Sequence, residues 1–328
     1  TNPSLAGVCR TSTACLDPRP NEGSPALTGA APISDTFLES VSYRGAFSGN
    51  MWLNKWTALS QNGNLGNLVT PGMVTVKADI SANTTWTSNN TYLLDGLIFV
   101  NEGATLTIEA GTVIKGLEQG SITTGDGAAA LIVRRGAKIM AEGTAAAPII
   151  FTSELDDVNN PTDLTQRDRG LWGGVILLGR ATTNQPTTDN QIEGIDFLTD
   201  PAQYGGTDDD DNSGVLKYVS IRHGGFSISG VEGDEINGLT IGAVGRGTTI
   251  DFVEVYANFD DCYEWFGGTV NTKHLVGAFC GDDTYDYDQG FRGKGQFWFS
   301  IQDTDVAGRA GEHDGGDGVE DAFLDEAR

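Results

Sequence analysis

The sequence predicts an all-β protein, a β-solenoid in which one chain winds into a coil of short parallel strands. Three observations support this prediction: a sequence motif at 260–265 is repeated at 282–287, a pattern at 97–108 is repeated at 131–141, and short β-rich runs are bounded by glycine. Regular returns of this kind are typical of repeat architectures. No amphipathic helical segments alternate with the runs, which argues against a doubly wound α/β fold.

A sequence repeat with a spacing of 33 residues marks the first part of the coil. Residues 97–108 contain two apolar, β-branched runs separated by a glycine turn, and residues 131–141 repeat that pattern. A further pair of runs, at 216–221 and 250–255, has an offset of 34. These runs are too short and too rich in β-branched residues for helices. We therefore expect strands stacked turn on turn, with loops of variable length inserted between them.

A return with an offset of 22 carries an acidic pattern. Asp-Asp-Cys-Tyr-Glu-Trp at 260–265 comes back as Asp-Asp-Thr-Tyr-Asp-Tyr at 282–287. Residues one period apart in such a coil stack at about 4.8 Å. The offset predicts three stacked pairs: Asp260 over Asp282, Asp261 over Asp283 and Glu264 over Asp286. Like carboxylates at that distance repel unless they are protonated, hydrated or bridged by a cation. A calcium-bridged ladder and a solvated acidic turn both fit the pattern.

A second candidate calcium site lies in the run of four aspartates at 208–211. Asp209, Asp211 and Ser213 offer oxygen ligands at alternate positions, and Gly214 follows for a sharp turn. The twelfth position of this loop holds no glutamate, so it is not an EF-hand. Solvated surface charge is the alternative explanation. With only three histidines and no C-x-x-C pair in the chain, a hard cation is expected at either place.

Three segments differ in composition. Residues 1–75 are rich in proline, glycine and aromatic side chains and are expected to form an irregular N-terminal cap or docking segment. Residues 76–305 carry the coil. Residues 306–328 are an acidic, glycine-rich tail or the start of a truncated continuation.

Charge and cysteine content limit the partners and the compartment. With Lys+Arg 20 against Asp+Glu 45, the net charge of −25 argues against binding to nucleic acid or to anionic membrane surfaces. No run of 18 apolar residues is present, so we expect no membrane insertion. The disulfide candidates are Cys9 with Cys15, which would close a small loop, and Cys262 with Cys280, which lie one predicted turn apart but out of stacked register. An even number of cysteines fits a secreted protein in an oxidising compartment.

Four motifs, at 103–114, 139–144, 264–271 and 291–296, carry a family resemblance. The chain resembles secreted right-handed parallel β-helix proteins of the pectate-lyase-like superfold. It is also similar to uncharacterised surface proteins among type IX secretion cargo. The resemblance implies a fold and a location at the outer cell surface, and it specifies activity far less well.

We expect a calcium-stabilised β-helix with a structural or adhesive role. One alternative is a polysaccharide lyase, in which Asp260, Asp282 and Asp286 hold the calcium and Arg292 or Lys294 is the base. A non-catalytic carbohydrate-binding module, with polysaccharide as its partner, is another. The ends of a coil present unpaired backbone groups, so copies of the chain could join end to end into a fibre. In that case residues 1–75 would dock on a neighbour, whereas otherwise they would cap their own coil.

Overall fold

The computed structural model describes residues 4–7, 16–32, 41–48, 72–195, 202–226, 235–306 and 308–313. The chain divides into two compact units, Thr1–Thr70 and Pro71–Arg328. The helical segments among the described residues are two short 3₁₀ turns, Pro25–Leu27 and Gln119–Ser121. In these ranges no helix is long and apolar enough to cross a bilayer.

The first unit contains one small antiparallel pair. Strand β1 (Leu5–Gly7) pairs with β2 (Asp17–Pro20). The 3₁₀ turn that follows is capped by Ser24, whose hydroxyl oxygen accepts a hydrogen bond from the Ala26 N–H at 3.1 Å. The described part of this unit is therefore built from turns and short extended pieces, as the proline-rich sequence predicts.

The second unit is built from strands β3 to β22. Their bounds are β3 Gly72–Val76, β4 Thr84–Trp86, β5 Asn90–Leu94, β6 Leu97–Val100, β7 Thr105–Ile108, β8 Val113–Gly116, β9 Ala130–Val133, β10 Lys138–Glu142, β11 Ile149–Ser153, β12 Val175–Leu178, β13 Asn190–Gln191, β14 Gln203–Tyr204, β15 Gly214–Arg222, β16 Leu239–Gly242, β17 Thr249–Tyr256, β18 Tyr263–Phe266, β19 Thr272–Ala278, β20 Tyr285–Asp288, β21 Gly295–Ile301 and β22 Glu312–His313.

Two parallel sheets run along the coil. One has eleven strands, β3, β4, β5, β7, β8, β10, β11, β15, β17, β19 and β21, and the other has seven, β6, β9, β12, β16, β18, β20 and β22. Strands β13 and β14 form a separate antiparallel pair inside an inserted loop. Successive turns of one chain supply neighbouring strands, which confirms the predicted right-handed parallel β-helix.

The observed register explains both sequence returns. Leu106 lies opposite Ile139 and Tyr263 lies opposite Tyr285, so the two pairs have the offsets of 33 and 22 seen in the sequence. Each return is the length of one turn of the coil at that place. Because side chains alternate between the two faces of a strand, this register sends equivalent apolar residues into the interior on every turn.

The last four strands of the eleven-stranded sheet bend at an aromatic residue. Tyr218, Phe252, His274 and Phe297 have left-handed φ values of 50°, 56°, 50° and 63°. Their rings stack on one another with centroids 4.5, 4.1 and 4.8 Å apart. A positive φ is costly for a bulky side chain, and the stacking offsets part of that cost.

The interior of the coil is filled by leucine, isoleucine and valine, together with Trp172 and Trp265. The seven-stranded sheet is also covered on its outer face, where Ile192 and Tyr204 from the inserted loop pack against it. Every residue of β9 and β12 is therefore buried, which is why these strands are apolar throughout instead of alternating.

Candidate metal centre

The candidate site lies where two successive strands of the seven-stranded sheet begin. Asp260 and Asp261 precede β18, and Asp282 and Asp283 precede β20. The two strands pair in parallel, in the register that the acidic repeat predicts. Parallel strands in register bring the turns before them to the same edge of the sheet, so the two aspartate pairs meet.

Hydrogen bonds fix the stacking of these turns. The Asp283 N–H donates to Asp261 Oδ1 at 2.8 Å, and the Cys262 N–H donates to the Asp283 carbonyl oxygen at 3.0 Å. Within the strands, Glu264 lies opposite Asp286. The register is the one predicted from the sequence, and it brings carboxylates of adjacent turns face to face.

Two overlapping groups of carboxylates have oxygens close enough to share an ion. In each group the ligand oxygens lie within 4.8 Å of one another, and Asp261 belongs to both. Asp260 and Asp282 complete the first group, and Glu264 and Asp286 complete the second. In the described part of the chain these are the two groups of three or more His, Cys, Asp or Glu side chains that meet this distance.

The carboxylates line a cavity of about 660 Å³ that also contains two arginines. Arg169 donates to the Phe279 carbonyl oxygen at 2.7 Å and pairs with Asp303 at 3.3 Å. Arg167 pairs with Asp305 at 2.5 Å. Both positive side chains thus pair with Asp303 or Asp305, and neither forms an ion pair with the stacked aspartates.

Burial and mutual repulsion raise the pKa values of the cluster. Burial, reinforced by neighbouring carboxylates, raises the pKa of Asp261 to about 9 and that of Asp260 to about 7. Burial together with the Glu312 carboxyl raises the pKa of Asp283 to about 6. For Glu264, burial and the nearby Glu193 hold the pKa well above its ordinary value. The site therefore favours either protons or a bound cation.

The cluster includes residues that the sequence repeat did not indicate. Glu193 comes from the inserted loop, and Glu235 comes from the turn before β16. Asn237 donates to Glu193 Oε1 at 2.9 Å and also to Glu264. Asn237 occupies the position of Asp261 one turn earlier, because β16 and β18 pair with an offset of 24 instead of 22. A search that allowed the period to vary would have found it.

A disulfide closes the acidic turn. Cys262 and Cys280 are bonded with their Cα atoms 5.6 Å apart, which confirms that predicted disulfide. Cys262 directly follows Asp261, so the bond restrains the backbone of the site. The other candidate pair, Cys9 and Cys15, lies outside the described residues.

The aspartate run at 208–211 has a different environment. Arg292 pairs with Asp209 at 3.2 Å and Arg246 pairs with it at 3.6 Å. Burial alone would raise the pKa of Asp209, but hydrogen bonds from Thr182 and these two arginines outweigh burial and lower it. The negative charge of Asp209 is therefore already balanced by protein groups.

Of the other members of the predicted calcium loop, Asp211 is engaged by a backbone N–H, whereas the buried Ser213 hydroxyl has no hydrogen-bond partner among the described residues. Asp211 Oδ2 accepts from the Arg180 N–H at 3.0 Å, and Ser213 is buried. Gly214 has a φ of +111°, and a Cβ there would lie 1.9 Å from the Ile139 carbonyl oxygen. Strand packing accounts for this glycine without a metal.

The two residues considered as a lyase base do not line the acidic cavity. Arg292 donates to Thr182 and pairs with Asp209. Lys294 is exposed, and its backbone N–H donates to Asn271 at 3.0 Å. The structure thus separates Arg292 and Lys294 from Asp260, Asp282 and Asp286, with which the sequence analysis had grouped them.

The fold and its acidic turn place the protein among parallel β-helices with a carboxylate site. A family model described as "Pectate-lyase like beta helix domain" matches residues 78–324, and the chain belongs to that family. Comparison with curated proteins gave no match, and neither did comparison with solved structures.

Proposed function

We propose that this protein is a secreted β-helix whose later turns are held together by calcium, with a structural or adhesive role at the outer cell surface. The observation that carries the proposal is the burial of Asp261 and Glu264, each 8% exposed, among further carboxylates. The neighbouring charges that contribute most to the raised pKa values of Asp260, Asp261 and Glu264 are those of other carboxylates. Buried charges of one sign destabilise a fold unless they are neutralised.

The ligand chemistry favours calcium over softer metals. All members of both groups are carboxylates, and neither group contains a histidine or cysteine. Hard oxygen ligands in a flexible turn suit Ca²⁺, which accepts six to eight oxygens at variable geometry. Asp282, which is exposed, gives the ion a path to solvent.

Secretion is supported by the disulfide. The Cys262–Cys280 bond fits an oxidising compartment. Calcium sites of extracellular modules typically have Kd values of about 10⁻⁴ to 10⁻³ M, so a site outside the cell need be only moderately tight. A cation that joins two turns would stabilise the folded coil in the extracellular medium.

The test compares thermal unfolding in calcium and in chelator. Chelation should lower the midpoint of the native chain, because an ion bound only to the folded state contributes about 2.7 kcal/mol at one hundred times its Kd. Asp261→Asn should abolish this shift. Asp209→Asn, outside the acidic cavity, should keep it. An unchanged native midpoint in chelator would contradict the proposal.

A calcium-dependent polysaccharide lyase is the second candidate. One observation favours it: Arg167 and Arg169 line the same cavity as the carboxylates. Ultraviolet detection of unsaturated products from a polyuronate substrate tests it, with Arg167→Ala as the variant and Arg246→Ala as the matched control. If the native chain and Arg246→Ala turn over the substrate and Arg167→Ala does not, the protein is a lyase and the proposed structural role is wrong. Binding without turnover would assign a carbohydrate-binding module.

The proposed structural role includes association of copies end to end. Within the described residues β21 is the last strand of the eleven-stranded sheet, and Phe297, Phe299 and Ile301 on it are exposed. An edge strand with exposed apolar side chains can recruit a strand of another copy.

Light scattering at high protein concentration in calcium tests this association. Phe299→Lys should abolish larger species, and so should deletion of residues 1–70. Leu155→Lys, another exposed apolar position, should leave them. A native chain that stays monomeric under these conditions would contradict end-to-end assembly.

A further inference from the structure

Three arginines meet at the opposite edge of the seven-stranded sheet from the acidic cluster. Arg134 and Arg135 directly follow β9, and Arg180 lies just beyond the end of β12. With Glu102 and Gln203 they line a cavity of about 370 Å³. Parallel strands in register bring the turns after them together, as they do for the aspartates at the other edge.

Two of the guanidinium groups are held in place by the protein. The Arg134 guanidinium lies 4.0 Å from the centre of the Phe99 ring, in cation–π geometry. Arg135 donates to the carbonyl oxygens of Thr188 and Gly205 at 3.0 and 2.9 Å. Positive groups fixed before a ligand arrives lose little conformational entropy on binding it.

The third arginine already holds a carboxylate. Arg180 pairs with Glu102, and their side chains are 42% and 70% exposed. Such an exposed pair contributes at most about 1 kcal/mol, so a competing anion can displace Glu102. The pair shows that a carboxylate fits the donors on this side of the cavity.

The local charge of the cavity is opposite to that of the whole chain. Three arginines line it against one carboxylate, Glu102, although the chain has a net charge of −25. Asp189, 59% exposed, pairs with Arg135 at the margin. Asp211, whose Oδ2 accepts from the Arg180 backbone N–H at 3.0 Å, is a further nearby carboxylate, so the excess of positive charge is confined to the guanidinium groups that line the cavity. More distant acidic groups are screened by salt.

We infer that this arginine cavity binds an oxyanion, a carboxylate or sulfate group of a ligand, which displaces Glu102 from Arg180. Planar guanidinium groups match such groups with two parallel hydrogen bonds. This site goes beyond the proposed calcium role. It takes a ligand group of the opposite charge and uses none of the residues of the acidic cavity.

The test titrates the full chain with sodium sulfate and with sodium acetate, at constant ionic strength balanced by chloride. Chemical shifts of the arginine Nε–H groups and of backbone amides 99–103 and 134–136 report binding. Saturable shifts confined to these groups are expected. The arms with sulfate and acetate show which oxyanion is preferred.

Two variants with opposite expected signs make the test specific. Glu102→Gln should tighten binding several-fold, because it removes the competing carboxylate. Arg180→Gln should weaken binding about tenfold, the typical effect of losing one charge-assisted hydrogen bond. Arg180→Lys, which keeps the charge, should weaken binding less.

Arg246→Gln is the matched control. Arg246 is similarly exposed, at 48%, and pairs with the exposed Asp210. The Arg246→Gln chain should bind sulfate and acetate as tightly as the native chain does. Equal losses in Arg180→Gln and Arg246→Gln would show general screening and overturn the inference. A Glu102→Gln chain that binds no more tightly, or a native chain without saturable shifts, would also overturn it.

Discussion

The aspartates at 208–211 and those at 260–261 and 282–283 look alike in sequence, yet their environments in the fold differ. Asp209 is paired with Arg246 and Arg292, and its pKa is lowered. Asp261 is buried among carboxylates, and its pKa is raised to about 9. The difference shows that burial and the supply of positive partners set the pKa of an aspartate here, and that the number of aspartates in a row does not.

Removing one carboxylate from each place should have opposite effects in chelator. Near pH 7, Asp261→Asn should raise the free energy of unfolding by about 3 kcal/mol, because the folded state no longer has to keep a carboxyl protonated far above its ordinary pKa. Asp209→Asn should lower it by about 1 to 2 kcal/mol, because it removes charge-assisted hydrogen bonds. Chemical denaturation of the two variants and the native chain measures both changes. If both variants changed the free energy of unfolding in the same direction, the two aspartate regions would not differ as the structure indicates.

The disulfide should matter for the acidic cavity and not for the other run. Replacing Cys262 and Cys280 together by alanine should lower the free energy of unfolding by about 3 kcal/mol, the entropy estimate for a loop of this length. It should also weaken calcium binding, because Cys262 follows Asp261. Calorimetric titration with calcium checks the second effect. Unchanged calcium affinity would show that the turn is held without the bond.

In chelator, the free energy of unfolding should fall as pH rises, because several carboxyl groups of the acidic cavity have raised pKa values. Asp283, Asp260 and Asp261 have folded pKa values of about 6, 7 and 9, above the ordinary value of 3.8. The folded state then binds more protons than the unfolded state, so stability falls as pH rises from about 4 to 9, by up to about 1.4 kcal/mol per pH unit for each group.

Calcium should remove most of that decline, because it replaces the protons. Denaturation curves at several pH values, with and without calcium, measure this. Asp209 should behave in the opposite way: its lowered pKa stabilises the fold above the ordinary value, and this contribution is lost as pH falls through the folded pKa. Stability that rises with pH in chelator between 5 and 8 would contradict the account of the acidic cavity.

The smallest effect is expected for Arg292→Ala. Arg292 is partly exposed, and its loss leaves Arg246 beside Asp209. The free energy of unfolding should fall by at most about 1 kcal/mol. The calcium shift of the thermal midpoint should not change, because Arg292 does not line the acidic cavity. A changed calcium shift would show that the two aspartate regions are coupled.

Much of the fold could be predicted from the sequence, because its period is a local property of the chain. The offset between Asp261 and Asp283 is one turn of the coil, so the returning phrase was enough to pair them. The same holds for Glu264 and Asp286. The stacked carboxylates are the part of the candidate site that follows directly from that period.

The rest depends on contacts that no local period encodes. Arg292 lies far from Asp209 along the chain, with a sequence separation of 83, so the sequence could not show that this run is neutralised. Glu193 reaches the cluster from an inserted loop. The Cys262–Cys280 spacing of 18 differs from the period of the acidic repeat because the two cysteines flank the turn instead of stacking.

The most direct test of the central claim is to locate the ion. Crystals of the native chain soaked in terbium, a calcium substitute with strong anomalous scattering, should show a peak among Asp260, Asp261, Asp282 and Asp286. The same map should show no peak of comparable height beside Asp209, and crystals of Asp261→Asn should lose the first peak. A peak at Asp209 with none in the acidic cavity would contradict the account.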